Sequence, residues 1–352
     1  MTPKLDHCYI PQHTLSEKSI QKRRNFFIWS PTLRLVGGLH LDERNPITVA
    51  SLYRWLALLL KKRSQEFNLH AVQILPTDAI FRYLPQRAGD ALSRDSQEYL
   101  KPGDIGVFLP GDSQSRFQYD ICFTGMQVTY AEETALRPKR KDRNNMTQSF
   151  IEEVQTRDGY RCVLTGTSST DAPLTVCWMV FPSSLQLGGY YEGPNSEPIR
   201  TDIRLYHTTS NAWTLRADLA ELFINNKWGI DVGENFRVVF FGLYDDYSHL
   251  LPQVPSNLPL TGPICERLNE HFTRCLSYNI LGGDIYDKYD GFDVKDYLED
   301  LGCFDGDDLD PADPEWQTEL GKEVWELRFR LRCEELQDRS SRYNDTQYSD
   351  DQ

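Results

Sequence analysis

The side chains that could attack, ligate or move a proton in this chain are its cysteines, histidines and carboxylates. Their spacing narrows the chemistry. The eight cysteines are Cys8, Cys122, Cys162, Cys177, Cys265, Cys275, Cys303 and Cys333, and no two form a C-x-x-C pair. A structural zinc site of that pattern is therefore not written, and the cysteines read as reduced, mostly buried thiols. Cys177 would be a nucleophile only with a lowered pKa. It has no basic neighbour in sequence, so the plainer reading is an inert buried thiol. The acidic run 305–313 invites calcium, but an EF-hand loop counted from Asp305 meets Leu309 where a carboxylate is needed and Asp310 where glycine is needed. It reads as a solvated loop. The basic run Arg137–Arg143 could be a nuclear-import signal, a phosphate contact or a solvated hinge, and the hinge is the reading adopted.

These residues sit in a chain of 352 residues, long enough for one large domain or two moderate ones. Hydrophobic residues make up 39% and aromatics 12%, so most of the length can bury a core. No stretch approaches twenty apolar residues, and the opening MTPKLDHCYIPQH lacks the apolar segment of a secretory signal. The expectation is an intracellular protein, cytoplasmic or nuclear, without a membrane span. Charge is uneven. Residues 290–352 hold 20 acidic and 7 basic side chains, a net of −13 out of −14 for the chain, so residues 1–289 are nearly neutral. A neutral body with an acidic end matches a nucleic-acid backbone poorly, though a local basic patch would still serve.

The elements that must position these groups follow from periodicity. Residues 1–24 read as a polar arm. Residues 25–135 read as a mixed α+β module with strands at 26–29, 33–40, 71–75, 106–109 and 117–130. It holds a helix capped by Asn45 with Pro46 in its first turn, and Val49, Leu52, Leu56, Leu59 and Leu60 form that helix's apolar face. A basic linker spans 136–146. A helix runs from about Thr147 to Arg157, and the turn Asp158-Gly159 leads to Cys162–Gly166. Leu215, Leu219, Leu222 and Phe223 fall at helical spacing, Val238–Phe241 reads as a buried strand, and helices are expected at 262–279 and 315–336. An acidic helical extension covers 286–338, and the tail 339–352 has the composition of disorder.

Several motifs occur in order between these elements. Arg157-Asp158-Gly159-Tyr160-Arg161-Cys162-Val163-Leu164-Thr165-Gly166 follows the first helix. Trp178-Met179-Val180-Phe181-Pro182 ends a strand, followed by Ser183-Ser184-Leu185. Asn211-Ala212-Trp213-Thr214-Leu215-Arg216-Ala217-Asp218-Leu219-Ala220-Glu221-Leu222-Phe223-Ile224 opens the next helix. This set resembles the HNH-endonuclease superfamily, in the version abundant in filamentous fungi. There the corresponding patterns are R-D-G-x-x-C-V-x-T-G, A-H-I-x-P and N-x-x-x-L-R-x-D-L-H-x-x-F-D. The match covers about a third of the chain, with a weaker continuation at Leu268–Asp284 and Gly321–Trp325.

The resemblance implies an α+β chain with a ββα-metal (HNH-like) domain at 147–285, an N-terminal mixed α+β module and C-terminal helices. It also implies a chemistry. One histidine deprotonates water, an asparagine holds the loop that aims it, and a second histidine ligates a divalent ion that offsets phosphorane charge. In this chain those positions hold Met179, Asn211 and Ala220. A thioether takes no proton from water and a methyl ligates nothing, so the metal site is expected to be lost and no cofactor is expected. His207, four residues before Asn211, is either a substitute base or an exposed or hydrogen-bonded loop histidine, the plainer reading. Asp218 matches a structural aspartate, tied to Arg216 or a backbone amide, and Glu221 points about 100° away from Ala220. Trp178, Met179 and Trp213 either fill core or, with Asn211 and Arg216, line a pocket for a small apolar ligand. Three functional readings follow. The first is a silenced nuclease that binds a protein partner, a ligand or nucleic acid. The second is an enzyme repurposed for fungal small-molecule biosynthesis, such as a cyclase, isomerase or condensing enzyme. The third is a residual nuclease using His207 and helix carboxylates.

Overall fold

The computed structural model describes residues 13, 15–31, 34–60, 66–76, 83–110, 144–182, 206–243, 248–250 and 264–284, and part of 312–329. The strand expected at 117–130, the basic run 137–143, the acidic run 305–313 apart from Ala312, and the tail from 339 lie outside these residues. So do Cys8, Cys122, Cys303 and Cys333. The described chain is a mixed α+β protein. No helix among the described residues is long and apolar enough to cross a membrane.

Five strands form one sheet: β1 (Phe26–Ser30), β2 (Arg34–Leu39), β3 (Asn68–Pro76), β4 (Tyr83–Ala91) and β5 (Gly103–Phe108), in the order β2-β1-β5-β3-β4. Only β1 and β5 pair in parallel. The sequence YLPQRAGDA does not read as a strand, because Pro85 and Gly89 break the pattern. It survives as β4 at the sheet edge, where a missing N–H costs little. Helix α2 (Val49–Leu59) covers the sheet with Leu52, Trp55, Leu56 and Leu59. It starts later than expected. Thr48, not Asn45, caps it, its hydroxyl accepting from Ser51 N at 3.1 Å, while Asn45 Nδ2 donates to the Phe240 carbonyl.

The polar arm also differs from expectation. Residues 15–24 carry a short helix α1 (Glu17–Gln21) capped by Ser16, and Arg24 is buried, donating to the carbonyls of Asn279 and Gly282. The carbonyls left open at the end of a distant helix recruit this segment.

The second half begins with α3 (Gln148–Arg157), capped by Thr147. An antiparallel hairpin follows, β6 (Leu174–Trp178) with β7 (Ala212–Arg216), and then α4 (Ala217–Ile224). Leu215, expected on that helix, lies on β7. Its i+4 match with Leu219 is a coincidence across a strand-to-helix junction. A second hairpin, β8 (Trp228–Asp231) with β9 (Arg237–Phe240), leads to α5 (Ile264–Ile280). Toward the C-terminus a 3-10 turn at Pro314–Gln317 precedes helical residues, with Trp316, Leu320 and Val324 buried.

Helix α5 joins the two halves. Phe272, Leu276 and Ile280 complete the core under α2, and Leu268 enters the core around β7 and α4. At its end β2 passes so close that a Cβ on Gly37 would collide with the Ile280 carbonyl. The buried Asp231 carboxylate adds a polar tie, accepting from Trp55 Nε1 and Arg54 Nη2, both at 2.7 Å. The turn after α4 is held by a stripe on α5. His271 Nε2 donates to the Phe223 carbonyl at 3.1 Å, Cys275 Sγ lies 3.4 Å from His271 Nδ1, and Asn279 Nδ2 donates to the Asn226 carbonyl at 2.7 Å.

Burying neutral imidazoles makes the fold acid-sensitive. Burial lowers His271 from 6.5 to about 3 and His13 to about 4. Below pH 6.5 the unfolded chain takes up protons that the folded chain refuses, so stability falls as pH drops from about 6.5 toward the folded values. Urea unfolding between pH 7 and 5 is expected to lose stability with a limiting slope of about 1.4 kcal/mol per pH unit for each histidine. His271→Gln should remove about half of that dependence; a slope unchanged in the variant would contradict the assignment.

Candidate functional site

The residues singled out by the motifs converge on the open end of the β6–β7 hairpin. Asn211 closes a 3-10 turn (Thr209–Asn211) just before β7, and its side chain is fully buried. Its Oδ1 accepts from Val180 N at 3.1 Å, and its Nδ2 donates to the carbonyls of Val180 at 2.8 Å and Tyr206 at 2.9 Å. Its own carbonyl accepts from Met179 N at 2.8 Å. One amide therefore holds the chain leaving β6 against the chain entering β7.

The turn after α3 braces the same place. Arg157 donates to the carbonyls of Thr209 and Ala212, and Asp158 accepts from Thr214 N at 2.7 Å. Gly159 at φ +64 lets the helix end turn sharply enough for both contacts. The sequence shows Arg157-Asp158-Gly159 as a motif, but adjacent opposite charges do not reveal that they clamp a strand more than fifty residues away.

Around this clamp the side chains face two sides. Met179 and Ala220 enter one core, each about 1% exposed, together with Cys162, Cys177, Trp213, Leu219 and Phe223. Trp178 turns the opposite way, into a cluster with Val154, Ala212 and the half-buried Phe150, and its Nε1 donates to the Asn144 carbonyl. His207 is exposed and sits edge-on against Trp178, ring centroids 5.2 Å apart. It therefore lies on the Trp178 side of the hairpin, away from the core that holds Met179 and Ala220.

The remaining residues separate further. Cys177 pairs with Trp213 across the hairpin and is buried; burial pushes its thiol up to about 12, well away from a reactive thiolate. Trp213 stacks among Phe223 and Trp228. Arg216 pairs with Leu174 at the far end of the hairpin, four residues from Trp178, or roughly 13 Å along the strand. It makes a bidentate pair with Asp218 at 2.8 and 2.7 Å, and Asp218 also accepts from Leu219 N. Arg216 chiefly holds the Asp218 carboxyl below its ordinary range. Among the described residues, then, Trp178, Met179, Asn211 and Trp213 form packed core around a clamp, with Arg216 apart from them. Within the same residues, no three His, Cys, Asp or Glu side chains come together to hold an ion.

Comparison with family models, with curated proteins and with solved structures found no match to this chain.

Removing the clamp tests its weight. Asn211→Ala leaves two buried carbonyls and one buried N–H without partners, at about 1–3 kcal/mol each when unsatisfied. Chemical denaturation is expected to show a loss of about 3 kcal/mol or more; a loss under about 1 kcal/mol would mean that the amide is not a structural centre.

Proposed function

We propose that this chain is an HNH-type ββα protein that has lost phosphodiester hydrolysis and works by binding. What supports the family reading is the order of parts: helix α3, a glycine turn, the β6–β7 hairpin and α4, with an asparagine at the strand entrance locking the end of β6. In the resemblance that asparagine aims a histidine. Here the same bonds aim Met179.

The observation that carries the loss of chemistry is the burial of Met179 and Ala220 in one core. The resemblance assigns a divalent ion to this place, and the residues do not fit one. The thioether and the methyl supply no proton acceptor and no hard oxygen or nitrogen ligand, and they are buried in one core with Trp213 and Phe223. No step through an ion follows from such a site. His207 does not restore a base beside Ala220, since it faces Trp178 on the other side.

The bulk of Trp178, Met179 and Trp213 motivates the alternative of a repurposed biosynthetic enzyme. Their packing accounts for that bulk as core filling, which leaves the binding reading as the one the geometry favours. The nearly neutral body and acidic end favour a protein or small-molecule partner over nucleic acid.

Purified full-length chain is expected to show no cleavage of single- or double-stranded DNA or of RNA that depends on Mg²⁺ or Mn²⁺, above a no-protein control. Metal-dependent cleavage abolished by His207→Ala would overturn the proposal and establish a residual nuclease.

A further inference from the structure

A surface opening lies away from the hairpin, where α1 and the end of β2 face β9 and the end of α5. It is a shallow cleft of about 90 Å³, open to solvent on one side. Its described lining carries Lys22, Arg24, His40 and Lys227 and no aspartate or glutamate, in a chain of net charge −14. Leu39, Val239 and Phe241 supply an apolar floor. A concave site with a basic side chain over an apolar base suits a small organic anion.

The four basic side chains are not equivalent. Arg24 donates to the carbonyls of Asn279 and Gly282. Lys22 donates to the Tyr278 carbonyl and to Asn279 Oδ1. These two answer the last carbonyls of α5, the negative end of its dipole. Lys227 is placed differently. Its backbone is pinned on both sides, the N–H donating to the Leu222 carbonyl and the carbonyl accepting from Phe241 N, while its ammonium has no partner among the described residues. His40 donates through Nδ1 to the Arg23 carbonyl at 2.7 Å, so its Nε2 is an acceptor in the neutral ring and donates to an anion only as the imidazolium. A pinned turn thus holds an exposed ammonium, without a partner among the described residues, on the lining of the cleft, with an oriented imidazole on the same lining.

We propose that this cleft binds a small organic oxyanion, a carboxylate or phosphate on a ring-sized apolar body. The anion pairs with the Lys227 ammonium, and the body rests against Val239 and Phe241. The proposal names a ligand for the chain and stands independently of the lost nuclease chemistry, since it uses none of the residues around Asn211.

The test is calorimetric titration of the full chain with benzoate, phenyl phosphate and uncharged benzyl alcohol. Saturable one-to-one binding of at least one oxyanion, without binding of the alcohol, is the expected result, and the stronger of the two identifies the anion class. Lys227→Glu and Lys227→Met, each checked for native circular dichroism, should both weaken that binding at least about tenfold, the scale of one charge-assisted hydrogen bond. Lys101→Glu, at an exposed site outside the cleft, should leave it unchanged. Absence of oxyanion binding at millimolar concentration overturns the proposal. So does equal binding of the alcohol, wild-type affinity in both Lys227 variants, or an equal loss in Lys101→Glu.

Discussion

One buried amide organises the second half of this protein. Asn211 spends both side-chain oxygen and nitrogen on backbone groups of residues 180 and 206, with no exposure to water. Such an amide has few alternatives inside a core, because an unmade bond there costs the desolvation of each abandoned partner. The direction of every neighbouring side chain follows. Met179 points to the α4 side and Trp178 to the α3 side, and the Arg157–Asp158 brace keeps the strand from moving between them. A clamp that sets direction is indifferent to what it aims. On the proposed HNH reading it would have served a base; in this chain it aims a hydrophobic side chain into the core that also holds Trp213.

The other organising element is α5, which closes both cores and carries the polar stripe His271, Cys275 and Asn279. An imidazole beside a thiol has the residue types of a base and a nucleophile. Burial argues the reverse, raising the Cys275 thiol and lowering His271, so both rest neutral and serve as hydrogen-bonding spacers. The cations recruited to the end of α5 create, as a by-product, the basic cleft at Lys227.

Much of this was legible in the residues. The apolar face of α2, the start of α3 near Thr147, the Asp158-Gly159 turn and the approximate span of α5 follow from periodicity and turn chemistry. What escaped depends on distant partners. Arg24 looks like part of a polar arm until the α5 carbonyls are placed beside it. Leu215 looks helical until β6 claims it as a strand partner. β4 hides behind Pro85 because sequence does not reveal that it will be an edge. At the candidate site, residue types alone showed which chemistry was missing, but not whether Met179 and Trp213 would line an opening or fill a core; only the packing separates the two.

Met179 sits in core where the HNH resemblance would place the histidine that deprotonates water. With ¹³C-methyl-labelled methionine, the Met179 resonance can be followed while Mn²⁺ is added to one equivalent. The Met179 signal is expected to keep its width and intensity. Selective broadening of that signal at stoichiometric Mn²⁺ would place an ion beside it and show that the residues there do form a metal site.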